Sequence, residues 1–152
     1  MIGQMISLAF ALLGAAAVYG TDVFFCVVGR TALAHVSDAT LVETIGRLHE
    51  VADRRMPIGV LGIAGALASL AFSRVSWPWA LSAVAAQVLW IVVYRSVAAP
   101  VNAELTRHVR SGLVPINARA LQARWDGVIV LRVVLMGLAV VALAGALVRS
   151  AR

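Results

Sequence analysis

Four stretches of this chain are too apolar, for their length, to be hidden inside a globule of 152 residues, and they decide what it can become. They run over about 4–28, 58–72, 79–98 and 127–148, and charge is nearly absent from them. About 20 apolar residues in a helix cross a hydrocarbon layer ~30 Å thick. The chain is 62% hydrophobic and 13% charged, against ~45–50% and ~25% in an average soluble domain, and its mean hydropathy is +0.94. A soluble core of this size could not cover so much apolar surface, so lipid must. The expected fold is all-α: one domain, 1–152, an integral membrane four-helix bundle with both termini on the same side.

The spans differ in character. The first is rich in small residues (Gly14, Ala15, Ala16, Ala17, Gly20), and the second carries Gly59, Gly62, Gly65 and Ala66. Small residues let helix backbones approach closely in a bilayer. The first span is expected to be retained, because it lacks a charged leader and outruns a signal-peptide core. The second is short unless a preceding amphipathic turn also enters the membrane. Ser37 or Asp38 suits the start of a helix that continues toward the second span, with a kink expected at Pro57. Arg74 to Pro78 reads as a short turn with Trp77 and Trp79 at the interface, and Pro100 reads as the end of the third span.

All 13 basic residues are arginines, and they are unevenly spread. Segment 30–56 holds Arg30, Arg47, Arg54 and Arg55, and the stretch from Arg95 to Arg124 holds five more. The other side has Arg74, Arg149 and Arg152. The positive-inside rule puts segments 30–56 and 100–126 in the cytoplasm, with a bacterial inner membrane as the expected location. It also accounts for the basic charge without nucleic acid, since no basic and aromatic residues interleave as strand-binding surfaces require. Cys26, the one cysteine, can form no internal disulfide.

Chemistry is confined to one end. All seven acids and all three histidines fall on the expected cytoplasmic side. Asp22 lies one to two turns inside the end of the first span, and Arg132 lies about 8 Å into the fourth. Unpaired, each would cost ~2.5–3.5 kcal/mol within a membrane, so the two are expected to pair, either as a clamp on helix register or as part of a proton or anion site. His49 and Asp53 share one helix face at i and i+4. That arrangement suits a general base with an orienting acid, or two ligands of a divalent transition metal, with Glu104 or His108 as the available third. Trp90, Tyr94 and Trp125 could stack against a flat aromatic substrate or simply fill the core. No phosphate loop, dinucleotide fingerprint or hydrolase elbow is present.

The stretch Pro100-Val101-Asn102-Ala103-Glu104-Leu105, then Arg124-Trp125, then Arg132 resembles the small four-helix membrane proteins grouped with the fungal anthrone oxygenases. That family often carries P-[I/V]-N-x-x-L after its third helix and W-x-x-x-H-x-x-R at the opening of its fourth. Trp125 and Arg132 match the second element, and Ile129 stands where its histidine would be. Pro115-Ile116-Asn117 is a competing match to the first. The resemblance implies oxygen-dependent oxidation of a lipophilic, often polycyclic aromatic molecule, with Asn102, Trp125 and Arg132 lining the site. Together with the residue chemistry, it gives an expected catalytic set of Asp22, His49, Asp53, Asn102, Trp125 and Arg132 in a membrane oxidoreductase. A divalent transition metal on His49 and Asp53 is one cofactor option, and a cofactor-free site is the other. The alternative is a non-catalytic small membrane subunit, assembling with itself or with a larger membrane complex. The expected partners are the lipid bilayer and, for an enzyme, a lipophilic small molecule.

Overall fold

A computed structural model describes residues 2–55, 58–70 and 77–151. Among these residues the chain forms five helices and no strand. They are α1 (Ile2–Ala34), α2 (Asp38–Arg55), α3 (Ile58–Leu70), α4 (Trp77–Ser111) and α5 (Ala118–Ser150). The helices α1, α4 and α5 are long and apolar enough to cross a membrane, and they coincide with three of the four expected spans. The span expected at 58–72 coincides with α3 over its described residues. The expected kink at Pro57 and most of the expected turn from Arg74 lie outside the described residues; Trp77 and Pro78 already belong to α4.

Each long helix runs past the apolar stretch that marked it. Helices of 33 to 35 residues extend ~50 Å at 1.5 Å per residue, well beyond a ~30 Å hydrocarbon layer. Hydropathy marks a change of solvent, and a helix need not end there. Hence α5 begins at Ala118, nine residues before Gly127, and takes in Arg119, Arg124 and Asp126. The first span likewise continues through Val28 to Ala34.

Pro100 does not end the helix that carries the third span, contrary to expectation. Proline lacks the N–H of the ladder and clashes with the carbonyl four residues back. Here a π-helical turn at Tyr94–Ala98 precedes it, closed by the Ala99 N–H donating to the Tyr94 carbonyl. The wider turn relaxes the ladder just where proline would break it, and the helix continues to Ser111. Gly112, at φ 68°, then terminates α4 in the left-handed conformation open to glycine. Its N–H and that of Leu113 bond the Val109 and His108 carbonyls at 3.2 and 3.1 Å. A matching π-helical turn at Phe25–Gly29 interrupts α1.

Helix α1 packs against α3 and α5, and the first half of α4 packs against both α3 and α5. Small residues set these distances. A Cβ added to Gly65 would lie 2.7 Å from the Ser7 carbonyl oxygen and 2.9 Å from Ala11 Cβ. Neither atom can swing aside, so Gly65→Ala should push α3 off α1. The expected loss is ~1–3 kcal/mol, the usual cost of overpacking; unfolding in detergent should show it, and an unchanged midpoint would refute this account of the contact.

At the polar end, Ser37 caps α2 through its Oγ, which accepts from the Thr40 N–H at 3.2 Å. Leu41, Val42, Ile45 and His49 give α2 its buried face, and it packs on the second half of α4. Arg119 ties α5 back to the end of α1, donating to the carbonyls of Leu33 and Val36 and pairing with Asp38. Two apolar cores result. One, around Leu8, Ala15, Met136 and Leu143, lies within the apolar halves of the long helices. The other, around Leu41, Leu105, Trp125 and Ile129, lies at the polar end. Between the two cores lies a cavity.

Candidate functional site

The cavity holds about 540 Å³ and is lined from all five helices. Val18 and Met136 form its deep end, continuous with the apolar core. Its opposite end reaches His49 and Asp53 on α2. All six residues singled out in the sequence line it: Asp22, His49, Asp53, Asn102, Trp125 and Arg132. They come from positions more than a hundred residues apart, so tertiary packing alone brings them together.

At its centre Asp22 and Arg132 pair, as their depths in the two spans suggest. Arg132 Nη2 donates to Asp22 Oδ1 at 2.5 Å, and Trp90 Nε1 donates to Asp22 Oδ2 at 2.7 Å. The carboxylate is thereby engaged at both oxygens. The guanidinium is not: Arg132 Nε and Nη1 are buried and have no partner. Aromatic faces surround it, with ring centroids at 5.0 Å (Trp90), 5.7 Å (Tyr94) and 5.1 Å (Trp125), so cation–π attraction holds it in place. Trp90 and Tyr94 stack in parallel, 1° apart in plane. The result is a cation walled by flat rings, with two donors that have no protein partner.

A second polar group sits toward the polar end. Asp53 Oδ1 accepts from Tyr94 Oη at 2.8 Å and from Asn102 Nδ2 at 3.2 Å. Asn102 Oδ1 and Trp125 Nε1 are buried without partners, and so, deeper in, is Gln87 Oε1. Buried polar atoms are normally satisfied; here several of the unsatisfied ones belong to residues that line one cavity. His49 packs beside Trp125, ring centroids 5.8 Å apart, and is 7% exposed. Burial pushes its pKa down to about 4, with Asp53 pulling it up and Arg132 pushing it further down. The ring is therefore neutral at physiological pH.

This depression has a thermodynamic consequence. The unfolded chain takes up a proton on His49 near its ordinary 6.5, the folded chain only near 4. The stability contributed by the neutral ring is complete above pH 6.5 and falls as pH drops toward 4, by an amount on the order of 3 kcal/mol. His49→Gln should flatten this part of the pH–stability curve, measured as apparent unfolding temperature in detergent. Parallel curves for the two proteins would mean the ring is not held neutral.

As metal ligands, His49 and Asp53 lack a third. Neither Glu104 nor His108 lines the cavity, and among the described residues no group of three or more His, Cys, Asp or Glu could hold a metal ion. His49 and Asp53 by themselves supply two of the three or more ligands a divalent metal takes. Ile129, standing where the resembled family has histidine, is fully buried in the polar-end core and does not line the cavity.

Trp90, Tyr94 and Gln87 belong to the site more firmly than stacking alone suggests. Trp90 holds Asp22, and Tyr94 holds Asp53. Their spacing, 87, 90 and 94, places all three on one face of a helix, and that was the signal available in the sequence. No protein-family model matches this chain, and no curated protein or solved structure matches it, so the functional reading rests on the cavity itself.

Proposed function

We propose that this protein is a membrane oxidoreductase of the oxygenase type, acting on a lipophilic, polycyclic aromatic molecule drawn from the bilayer. In this reading α1, α3, α4 and α5 are the four spans of a bundle. Both termini lie on one side, and the polar end carrying α2 lies in the cytoplasm. The observation that carries the proposal is the unpaired edge of Arg132, set among aromatic faces in a cavity that also holds a carboxylate and a neutral imidazole. A volume of about 540 Å³ lies within the range of small-molecule sites, ~300–1,000 Å³, and a lining that includes Phe25, Trp90, Tyr94 and Trp125 suits a flat ring system.

The chemistry follows from these groups. Asp53, or the neutral His49, takes a proton from an acidic C–H beside the substrate's carbonyl. The electron pair left behind delocalises onto the carbonyl oxygen, and the resulting enolate or phenolate is stabilised by Arg132 Nε and Nη1 and by Trp125 Nε1. Fixed donors aimed at developing negative charge in a dry site contribute several kcal/mol. The electron-rich anion is then oxidised by dioxygen. For an anthrone-type methylene, two hydrogens are lost, one oxygen atom becomes the new carbonyl and the other leaves as water. The test is oxygen uptake and quinone absorbance with anthrone and the purified protein in detergent. The expected result is turnover above the protein-free rate that Arg132→Ala and His49→Ala diminish. Variants as active as wild type would overturn the mechanism.

A further inference from the structure

A second cavity of about 320 Å³ adjoins the first on its polar side and opens to the surface between α2 and the end of α4. Ala103, Thr106, Arg107 and Arg110 form one wall, and Glu50 and Arg54 belong to the other. Arg110 Nε donates to Glu50 Oε1 at 3.0 Å, bridging the two helices across the groove. Two residues line both cavities, and they are His49 and Asp53. His49 is buried while Asp53 is exposed, so the pair forms a wall with one face in the lipophilic cavity and the other in a water-accessible groove. Elsewhere on the described surface of the bundle, apolar residues such as Leu89, Val92 and Val134 face the surroundings.

We infer that His49 and Asp53 are the proton gate of the cavity, passing the proton taken from a bound molecule to water in the groove between α2 and α4. The inference rests on the proposed reading that a substrate is deprotonated in this site. The X–H bond breaks, its electron pair stays on the substrate, and the proton goes to Asp53 or to an imidazole nitrogen of His49. It then passes to a water molecule in the groove, which restores the base. Asp53 Oδ1 is engaged by Tyr94 and Asn102, while Oδ2 has only the longer 3.4 Å contact from Asn102, so Oδ2 is the oxygen free to exchange. An apolar cavity without such an outlet would keep its first proton and stop.

The test plugs the groove without touching the cavity. Ala103 and Thr106 line the groove alone, so Ala103→Phe and, independently, Thr106→Phe narrow it. Accessibility is read in a Cys26→Ala background with His49→Cys, or with Asp53→Cys should the first not fold, as the rate of labelling by a charged, water-soluble maleimide. Binding is read separately from tryptophan quenching by anthrone. Both plugs should slow labelling by about tenfold or more, and lower kcat to match when placed in the otherwise unaltered protein, with anthrone binding unchanged; proton transfer by a positioned group contributes ~10²–10⁴-fold, so a loss of this size is readable. Labelling that neither plug slows would overturn the gate, as would slowed labelling with full turnover. If the wild-type protein turns over no substrate, the catalytic reading is lost. The labelling rates still decide the route: slowed, they keep the wall as the water access to a binding cavity; unslowed, they remove that too.

Discussion

Asp22→Leu should destabilise the protein by ~3–5 kcal/mol, the usual consequence of removing one partner of a buried ion pair. Asp22 is 1% exposed and Arg132 6%, so bulk water is a poor substitute for the lost partner. Arg132 would keep its charge among aromatic rings, and Trp90 would lose the acceptor of its N–H. Arg132→Met should be costly for the converse reason, since it leaves a buried carboxylate. Replacing both, Asp22→Leu with Arg132→Met, should cost less than the sum of the two, and less than Asp22→Leu alone, because no uncompensated charge remains. Denaturant unfolding in detergent measures all four proteins as a double-mutant cycle. Additive losses would mean that the two charges are stabilised independently and that the pair is not the clamp between α1 and α5. The double variant is also informative about function. If it folds well yet neither binds nor turns over an aromatic ketone, the ion pair serves the site more than the fold.

Asp53→Asn should lower kcat by ~10²–10⁴-fold, the contribution of a positioned general base, while leaving the fold nearly intact. The amide is the same size, and its oxygen can still accept from Tyr94 Oη. What it loses is the ability to hold a proton. Asp53 lies on α2 and is exposed, so little burial energy is at risk. Steady-state oxygen consumption with anthrone gives kcat, and tryptophan quenching gives binding. Binding retained with turnover lost is the expected pattern. Equal turnover in Asp53→Asn and wild type would move the proton step to His49 or, if His49→Gln is active too, remove deprotonation from the protein's function altogether. Stoichiometric co-purification with a membrane partner, together with indifference to both changes, would favour a non-catalytic subunit.

Where the sequence was an imperfect guide, the failures share a cause. Pro100 read as a helix end because a proline inside a regular ladder is costly, and nothing local announced the π-helical turn that accommodates it. Gly127 read as the start of the fourth span because apolarity begins there, and the helix that carries the span begins earlier, at Ala118. The pairing of Asp22 with Arg132 was legible because a membrane makes lone charges expensive and leaves few candidates. The partnership of Tyr94 and Asn102 with Asp53 was not, since Asp53 lies on an exposed helix face where many such contacts are open at equal local cost.

The sequence by itself determined the solvent, the helical class and the one end that carries the acids and histidines. Each follows from composition along the chain: lipid requires every backbone bond to be satisfied within the segment, and the acids and histidines cluster in the polar stretches. Only the tertiary structure decided that six scattered residues face one cavity, that Arg132 keeps two donors unused, and that His49 and Asp53 also face a second, open groove. Those features depend on how helices rotate about their axes and how closely they approach. Small residues such as Gly65 and the two π-helical turns set both, through contacts between residues far apart in the chain.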